Sequence, residues 1–201
     1  MTPMQARELR IPGAFEFTPS VFPDDRGFFV APFQESAFER ITGHRLRVAQ
    51  VNHSQSRRGV VRGLHYADVP PGQAKYVHCP RGRLLDVVVD IRVGSPTFGQ
   101  WDAVELSAEK FNGVYLPEGF GHALMALEDD TVTAYLCSEG FNPKAERGVD
   151  PLSLDLPWPE GIEPVLSEKD AQAPSLAQAR EQGLLPDYEE CVRWYAELKR
   201  A

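Results

Sequence analysis

LLDVVVDIRV, residues 84 to 93, is the run from which the architecture can be read. Leu85, Val87, Val89, Ile91 and Val93 alternate onto one face of an extended chain, and Asp86, Asp90 and Arg92 onto the other. A helix cannot sort these residues that way, because its period is 3.6 rather than 2. The branched side chains also suit a pleated strand. Downstream, the turn GSPTFGQW (94–101) leads to DAVELSA (102–108), NGVYLPEGFGHALMALE (112–128) and DDTVTAYLCSE (129–139), short apolar runs separated by Gly, Pro or paired Asp. Upstream, ELRIPGAFEFTP (8–19), the turn FPDDRG (22–27) and FFVAPF (28–33) repeat the pattern. Short strands at a spacing of roughly 8–12 residues predict an all-β chain, a sandwich or barrel.

Helices belong to the margins. Residues 34–42 form a brief helix that Gly43 should stop. Ser175 with Gln178, and Asp187 with Glu190, are N-cap signatures, so the tail is expected to be helical and amphipathic through Cys191, Trp194, Tyr195 and Leu198. Between 142 and 164 the chain is proline-rich and irregular, with Leu152, Leu156 and Trp158 as expected anchors on the domain. The expected organisation is one domain over 1–165 and a packed helical extension over 166–201.

Composition excludes several classes. With 201 residues, 42% hydrophobic and 25% charged, the chain can bury a core of its own. A net charge of −8 argues against a nucleic-acid surface. No apolar run approaches a membrane span, and the N-terminus lacks a secretory h-region, so a cytoplasmic protein without a membrane partner is expected. Cys79, Cys137 and Cys191 are an odd count without CxxC spacing and read as reduced, structural thiols.

Against this acidic background, residues 50–83 hold six basic side chains (Arg57, Arg58, Arg62, Lys75, Arg81, Arg83) and one acid, Asp68. They also hold His53, His65 and His78. A basic lobe on an acidic protein points to an anionic ligand. In RVAQVN (47–52), Gln50 and Asn52 share a strand face. Arg62 and His65 would point to opposite faces under strict alternation, unless Gly63 marks a bulge that turns both toward one cavity. On spacing alone, His65 is a core or rim histidine or a base. Tyr135 lies on the threonine-bearing face of TVTAYLC and is a packed rim tyrosine or a cavity group. Lys75 is an end-of-strand snorkeller or a placed charge. PEGFGH (117–122) has the P-x-G-x-x-H shape of a metal-cupin motif, but the matching H-x-H is missing around Gly63-Leu-His65, so a metal sphere cannot be assembled from adjacent positions.

Together, DDRGFF (24–29), QVNHSQSRRGVVRGLHY (50–66), PPGQAKYVHCPRGRLLDVVVDIRVGSPTFGQW (70–101), YLPEGFGHALMALEDD (115–130) and LSEKD (166–170) resemble the dTDP-4-dehydrorhamnose 3,5-epimerase family, including its antibiotic deoxysugar branch. That resemblance implies a cupin-like jelly roll, a homodimer, no metal or organic cofactor, and epimerisation of a dTDP-4-keto-6-deoxyhexose at C5, with or without C3. It implies His65 as base with Asp170 as its orienting carboxylate, Lys75 at the O4 oxyanion and Tyr135 as proton donor on the opposite face. It further implies Arg26 reaching the diphosphate from the partner subunit, Arg62 on the same ligand, Gln50, Asn52 and His122 along the sugar and nucleotide, and Phe141 packing near the sugar. Two departures stand out: Ala31 occupies a position where many members carry Glu, and GVDPLSLDLPWP (148–159) lacks the usual WDDP-type stretch. The alternatives are a C3-only epimerase, a non-catalytic nucleotide-sugar-binding cupin, which would not need the four groups together, and a metallo-cupin.

Overall fold

The computed structural model describes residues 4–200. Its strands, in chain order, are β1 (Gln5–Glu8), β2 (Phe15–Thr18), β3 (Val21–Asp24), β4 (Gly27–Val30), β5 (Gln50–Ser56), β6 (Val61–Ala67), β7 (Lys75–Arg81), β8 (Arg83–Asp90), β9 (Trp101–Ser107), β10 (Gly113–Leu116), β11 (Phe120–Ala126), β12 (Thr131–Cys137) and β13 (Glu146–Gly148). The helices are α1 (Glu35–Thr42), α2 (Glu168–Ala171), α3 (Leu176–Glu181) and α4 (Tyr188–Leu198). One sheet runs β1-β2-β10-β7-β12-β5, a second runs β13-β6-β11-β8-β9, and β3-β4 form a separate hairpin. All the strand pairs are antiparallel, and the two large sheets pack as a cupin-like jelly-roll sandwich.

β8 shows why both sheets hold together. Val87, Val89 and Ile91 are buried in a layer with Leu64, Tyr66, Leu156 and Ala179, so the tail covers that outer face. The opposite face of β8 is equally dry: Leu84 and Val88 join Val77, Cys79, Val114 and Leu116 from the other sheet, and Asp86 and Asp90 are buried beside them. A third layer, Phe17, Tyr76 and Tyr115 under Phe38 of α1, closes the back of the first sheet. Of the three expected anchors in the irregular segment, Leu156 is buried and Trp158 packs against the second layer, whereas Leu152 is exposed. Leu152 directly follows Pro151 in a turn whose Asp150 carboxylate accepts the Leu152 N–H, and this local bond, not packing, fixes it.

Gly43 stops α1 in the left-handed conformation, and Ser175 and Asp187 cap α3 and α4 through the N–H groups of Gln178 and Glu190. The three cysteines are free and buried. No helix among the described residues is long and apolar enough to cross a membrane.

The GSPTFG turn serves structure. Asp90 accepts from Arg92 Nε at 2.9 Å and Nη2 at 2.7 Å, and from Thr97 Oγ1 at 2.6 Å, while Ser95 donates to the same carboxylate. The Arg92 guanidinium sits 3.9 Å from the Phe120 ring centroid and 5.0 Å from that of Tyr188, which ties α4 to the barrel. Burial pushes the Asp90 pKa up, but the bonds from Arg92, Ser95 and Thr97 outweigh it and hold the carboxyl below its ordinary value. Asp90→Asn therefore leaves a buried guanidinium unpaired and should destabilise by about 3–5 kcal/mol in a urea melt at neutral pH. A loss within experimental error would mean that the turn does not anchor Arg92.

The β6–β11 seam carries one irregularity. His122 pairs with His65, but Leu124 pairs with Arg62, so β6 spends one residue more than β11 over this interval. That is a bulge at Gly63-Leu64. Gly63 has φ of +115°, and a Cβ there would lie 2.4 Å from the His122 carbonyl oxygen. Gly63→Ala should cost more than about 2 kcal/mol, since it adds both strain and a backbone collision. A denaturation midpoint equal to wild type would show that the seam can relax around a methyl group.

Candidate active site

The bulge decides which side chains meet. Leu64 stays in the outer apolar layer, while Arg62 and His65 both line a cavity of about 410 Å³ between the sheets. Lys75 of β7, His122 of β11 and Tyr135 of β12 share its walls, with Asp170 of α2 at its edge. Of the residues expected at the site, these six come together in one chain.

His65 is 27% exposed and its Nε2 lies 2.7 Å from Asp170 Oδ1, which leaves Nδ1 as the free nitrogen. Ser167 caps α2 by accepting the Asp170 N–H at 3.1 Å, so a single helical turn aims the carboxylate. Burial would raise the Asp170 pKa, but the hydrogen bond and charge of His65, with Ser167 and the Gly63 N–H, hold it below the ordinary carboxylate value. It is an anion at neutral pH.

Tyr135 enters from the opposite sheet. Burial raises its pKa, so the phenol keeps its proton at neutral pH and can donate it. Lys75 is held below the usual lysine value by burial, with Cys137, Glu146 and Asp86 acting in the other direction. The snorkelling alternative fails for Lys75 because its strand face continues inward through the core residues Val77 and Cys79. Tyr135 is partly buried, packs against the inner core and also lines the cavity.

Arg62 is braced by Ser56 Oγ at 3.0 Å and by the Gln55 carbonyl at 3.1 Å. Gln50 donates to Asn52 at 2.6 Å on the inner face of β5, where Asn52 is the rung partner of Tyr135. Both amides stand beside the cavity rather than among its lining. Phe141 is 61% exposed and outside the cavity wall, held by its N–H to Gln50 Oε1 at 2.9 Å. Arg26 sits at the β3–β4 hairpin tip with its side chain 90% exposed and paired to Asp24, so it does not enter the cavity of its own chain.

The basic lobe divides. Arg62 and Lys75 face the cavity, but Arg83 is spent on Glu128 and Glu105, and Arg81 pairs with Asp130 at 4.0 Å. Charge counting could not see these acids because they arrive from β9 and from the 128–130 turn. Sequence reasoning also passed over Ser54 and Lys169, which line the cavity, and Asp86, which holds His122 Nε2 at 2.7 Å. Ser167 could have been found, since Ser167-Glu-Lys-Asp170 is a third cap signature of the kind recognised in α3 and α4. Among the described residues, no group of three His, Cys, Asp or Glu side chains could hold a metal ion.

Comparison with known proteins agrees with this geometry. A family model described as dTDP-4-dehydrorhamnose 3,5-epimerase matches residues 8–178. A dTDP-4-dehydrorhamnose 3,5-epimerase of Mycolicibacterium smegmatis is 51% identical over 98% of both chains. A dTDP-4-dehydro-6-deoxyglucose 3-epimerase of Streptomyces bikiniensis is 49% identical over 90% of this chain and 93% of its own. Among solved structures, a mutant 3'-monoepimerase from Streptomyces bikiniensis in complex with dTDP superposes with a TM-score of 0.94 at 44% identity, covering 96% of this chain and 98% of that one. The chain belongs to the dTDP-4-dehydrorhamnose 3,5-epimerase family.

Proposed function

We propose that this enzyme epimerises a dTDP-4-keto-6-deoxyhexose at C5, with or without C3, by removing and returning the proton α to the ketone. The observation that carries this is the placement of His65, backed by Asp170, on one sheet, with Tyr135 on the sheet opposite and Lys75 in the same cavity. His65 Nδ1 takes the α proton, and Asp170 fixes the ring and balances the imidazolium. The enolate oxygen O4 meets the Lys75 ammonium, a donor worth most when the oxygen is an anion. Tyr135 then delivers a proton to the other face of the carbon, which inverts it. The steps call for no cofactor or metal, since the ketone itself acidifies both neighbouring carbons.

The remaining assignments follow the same reading. Arg62 and a partner's Arg26 bind the diphosphate, while Gln50, Asn52 and His122 hold the sugar and nucleotide, and Phe141 covers them. Catalysis belongs to the jelly-roll domain of residues 1–165, with 166–201 as the extension that supplies Asp170, in the cytoplasm. A homodimer is supported by two unsatisfied surfaces. The β3–β4 hairpin exposes Phe28 at 59% and Phe29 at 68%, and β5 is a sheet edge with Val51 exposed. A second copy of the chain covers both and brings Arg26 to the neighbouring site.

A C3-only reaction is the second reading, favoured by one observation. The mutant 3'-monoepimerase carries a histidine-to-asparagine and a tyrosine-to-phenylalanine substitution 70 positions apart, the spacing of His65 and Tyr135 here. A tyrosine at this spacing therefore does not separate C5 from C3 chemistry.

Incubating the 4-keto sugar nucleotide with enzyme in deuterium oxide and locating the label by NMR tests the reading. His65→Asn should lower exchange by about 10²–10⁴-fold. Tyr135→Phe should still wash in label while yielding little inverted product, and inversion at the wild-type rate would reduce Tyr135 to a wall. The shared site has its own test: mixing inactive Arg26→Ala and His65→Ala proteins should restore part of the activity. No recovery after demonstrated subunit exchange would place Arg26 outside the site.

A further inference from the structure

Asp86 is difficult to explain by packing. It lies in mid-strand between Leu124 of β11 and Val104 of β9, is 1% exposed, and is flanked by the apolar layer of Leu84 and Val88. Apolar neighbours fill the same layer, and a carboxylate in such a place is costly unless paired. It has one hydrogen bond, Oδ2 to His122 Nε2 at 2.7 Å, and its buried Oδ1 has no partner. The reaction steps above leave this pair unused.

Its surroundings repeat those of the base. His122 stands opposite His65 on one rung of the β6–β11 seam. Each imidazole is tied at Nε2 to a carboxylate and lines the same cavity. We infer that Asp86 is a positioning residue of the epimerase site: its bond to His122 fixes that ring with Nδ1 free for the substrate.

Three groups on different strands oppose the depressing effect of burial on Lys75: Cys137 of β12, Glu146 of β13 and Asp86 of β8. The Cys137 thiol is itself pushed up by burial and is neutral at working pH. Glu146 is already shared with Lys169 at 3.2 Å. Asp86 is the fully buried carboxyl of the three, with one oxygen unpartnered. Of the other charged or titratable cavity groups, Arg62 and Lys169 are cations, His65, His122 and Tyr135 add no negative charge at neutral pH, and Asp170 is committed to His65. His122 is thereby held in one orientation at the cavity wall, and the Asp86 charge acts in the direction that favours the Lys75 ammonium.

The inference rests on the epimerase reading, and the test keeps the two apart. Deuterium exchange into the 4-keto sugar nucleotide is measured against pH for the wild type, Asp86→Asn, His122→Gln and the double variant, with dTDP affinity and thermal melts recorded for each. Asp86→Asn should slow exchange by roughly tenfold to a hundredfold, less than outright deletion of an oxyanion donor, at unchanged dTDP affinity. Removing the anion makes the Lys75 ammonium easier to deprotonate, so the alkaline limb of the profile should move to lower pH. In the double variant the limb should stay shifted while the rate loss is less than the product of the single losses.

An unmoved alkaline limb, or a rate loss that tracks a fall in melting temperature and dTDP affinity, overturns the role assigned to Asp86 and leaves the epimerase reading standing. No exchange by the wild type overturns both. A readout free of mutation guards against a variant that does not fold: ¹⁵N NMR of histidine-labelled wild type should find His122 protonated at Nε2 throughout the neutral range. The Nδ1-protonated tautomer would overturn the inference.

Discussion

The pairing of His65 with His122 across the β6–β11 seam, with a bulge immediately beside it, is the constraint on which the rest of the site depends. A regular strand would send Arg62 outward with Leu64, leaving the cavity without its only strand-borne arginine. The extra residue at Gly63-Leu64 re-aims Arg62 while Leu64 remains in the outer layer. Backbone approach at Gly63 is so close that the seam allows no side chain there. One glycine thus couples sheet register to the contents of the site, and the Gly63 N–H contributes to holding Asp170 ionised.

What could be read from the sequence follows from how local each signal is. The period-two run at 84–93 fixed the strand and its apolar face, because alternation depends only on the chain itself. It could not show that the opposite face is also buried, since that depends on Val77, Val114 and Leu116 arriving from another sheet. The caps at Ser175 and Asp187 were legible for the same local reason. The Gly63 bulge was legible as a possibility and needed the partner strand to become definite. The pairing of Arg81 and Arg83 with acids from distant turns was not legible, nor was the bond from Asp86 to His122, as both partners lie 36 or more residues away. Asp170 was reached only through family resemblance, because nothing local connects it to a histidine 105 positions earlier.

The polar groups of the cavity are placed where apolar walls make them strong. Hydrogen bonds and charges act through a lower effective dielectric there than in water, so a lysine and two histidine–carboxylate pairs interact appreciably at the distances a sugar imposes. The same apolar setting penalises every unpaired charge. Three groups of the cavity wall accordingly have compensating neighbours: Asp170 has His65, Arg62 has Ser56 and the Gln55 carbonyl, and Lys169 has Glu146. Neutral Tyr135 needs none.

A base and an acid presented from opposite sheets, the roles proposed for His65 and Tyr135, would account for inversion but would not choose the carbon that inverts. His65, Lys75 and Tyr135 are fixed by strands, and a relative that acts as a 3'-monoepimerase shares this framework with a TM-score of 0.94. A 3'-monoepimerase on the same framework means that the fold alone does not separate C3 from C5 chemistry. The part of the wall outside the strands is made by Val60, just before β6, by Val165, Leu166 and Ser167, and by Lys169 and Asp170 of α2. Val60 and Val165 are joined by a β-bridge, and α2 begins three residues further on, so a shift in this segment would move the sugar's outer wall and Asp170 together. Loops on a rigid scaffold are where specificity usually varies. Here the same segment also carries Ser167, which caps α2 and aims Asp170 at His65.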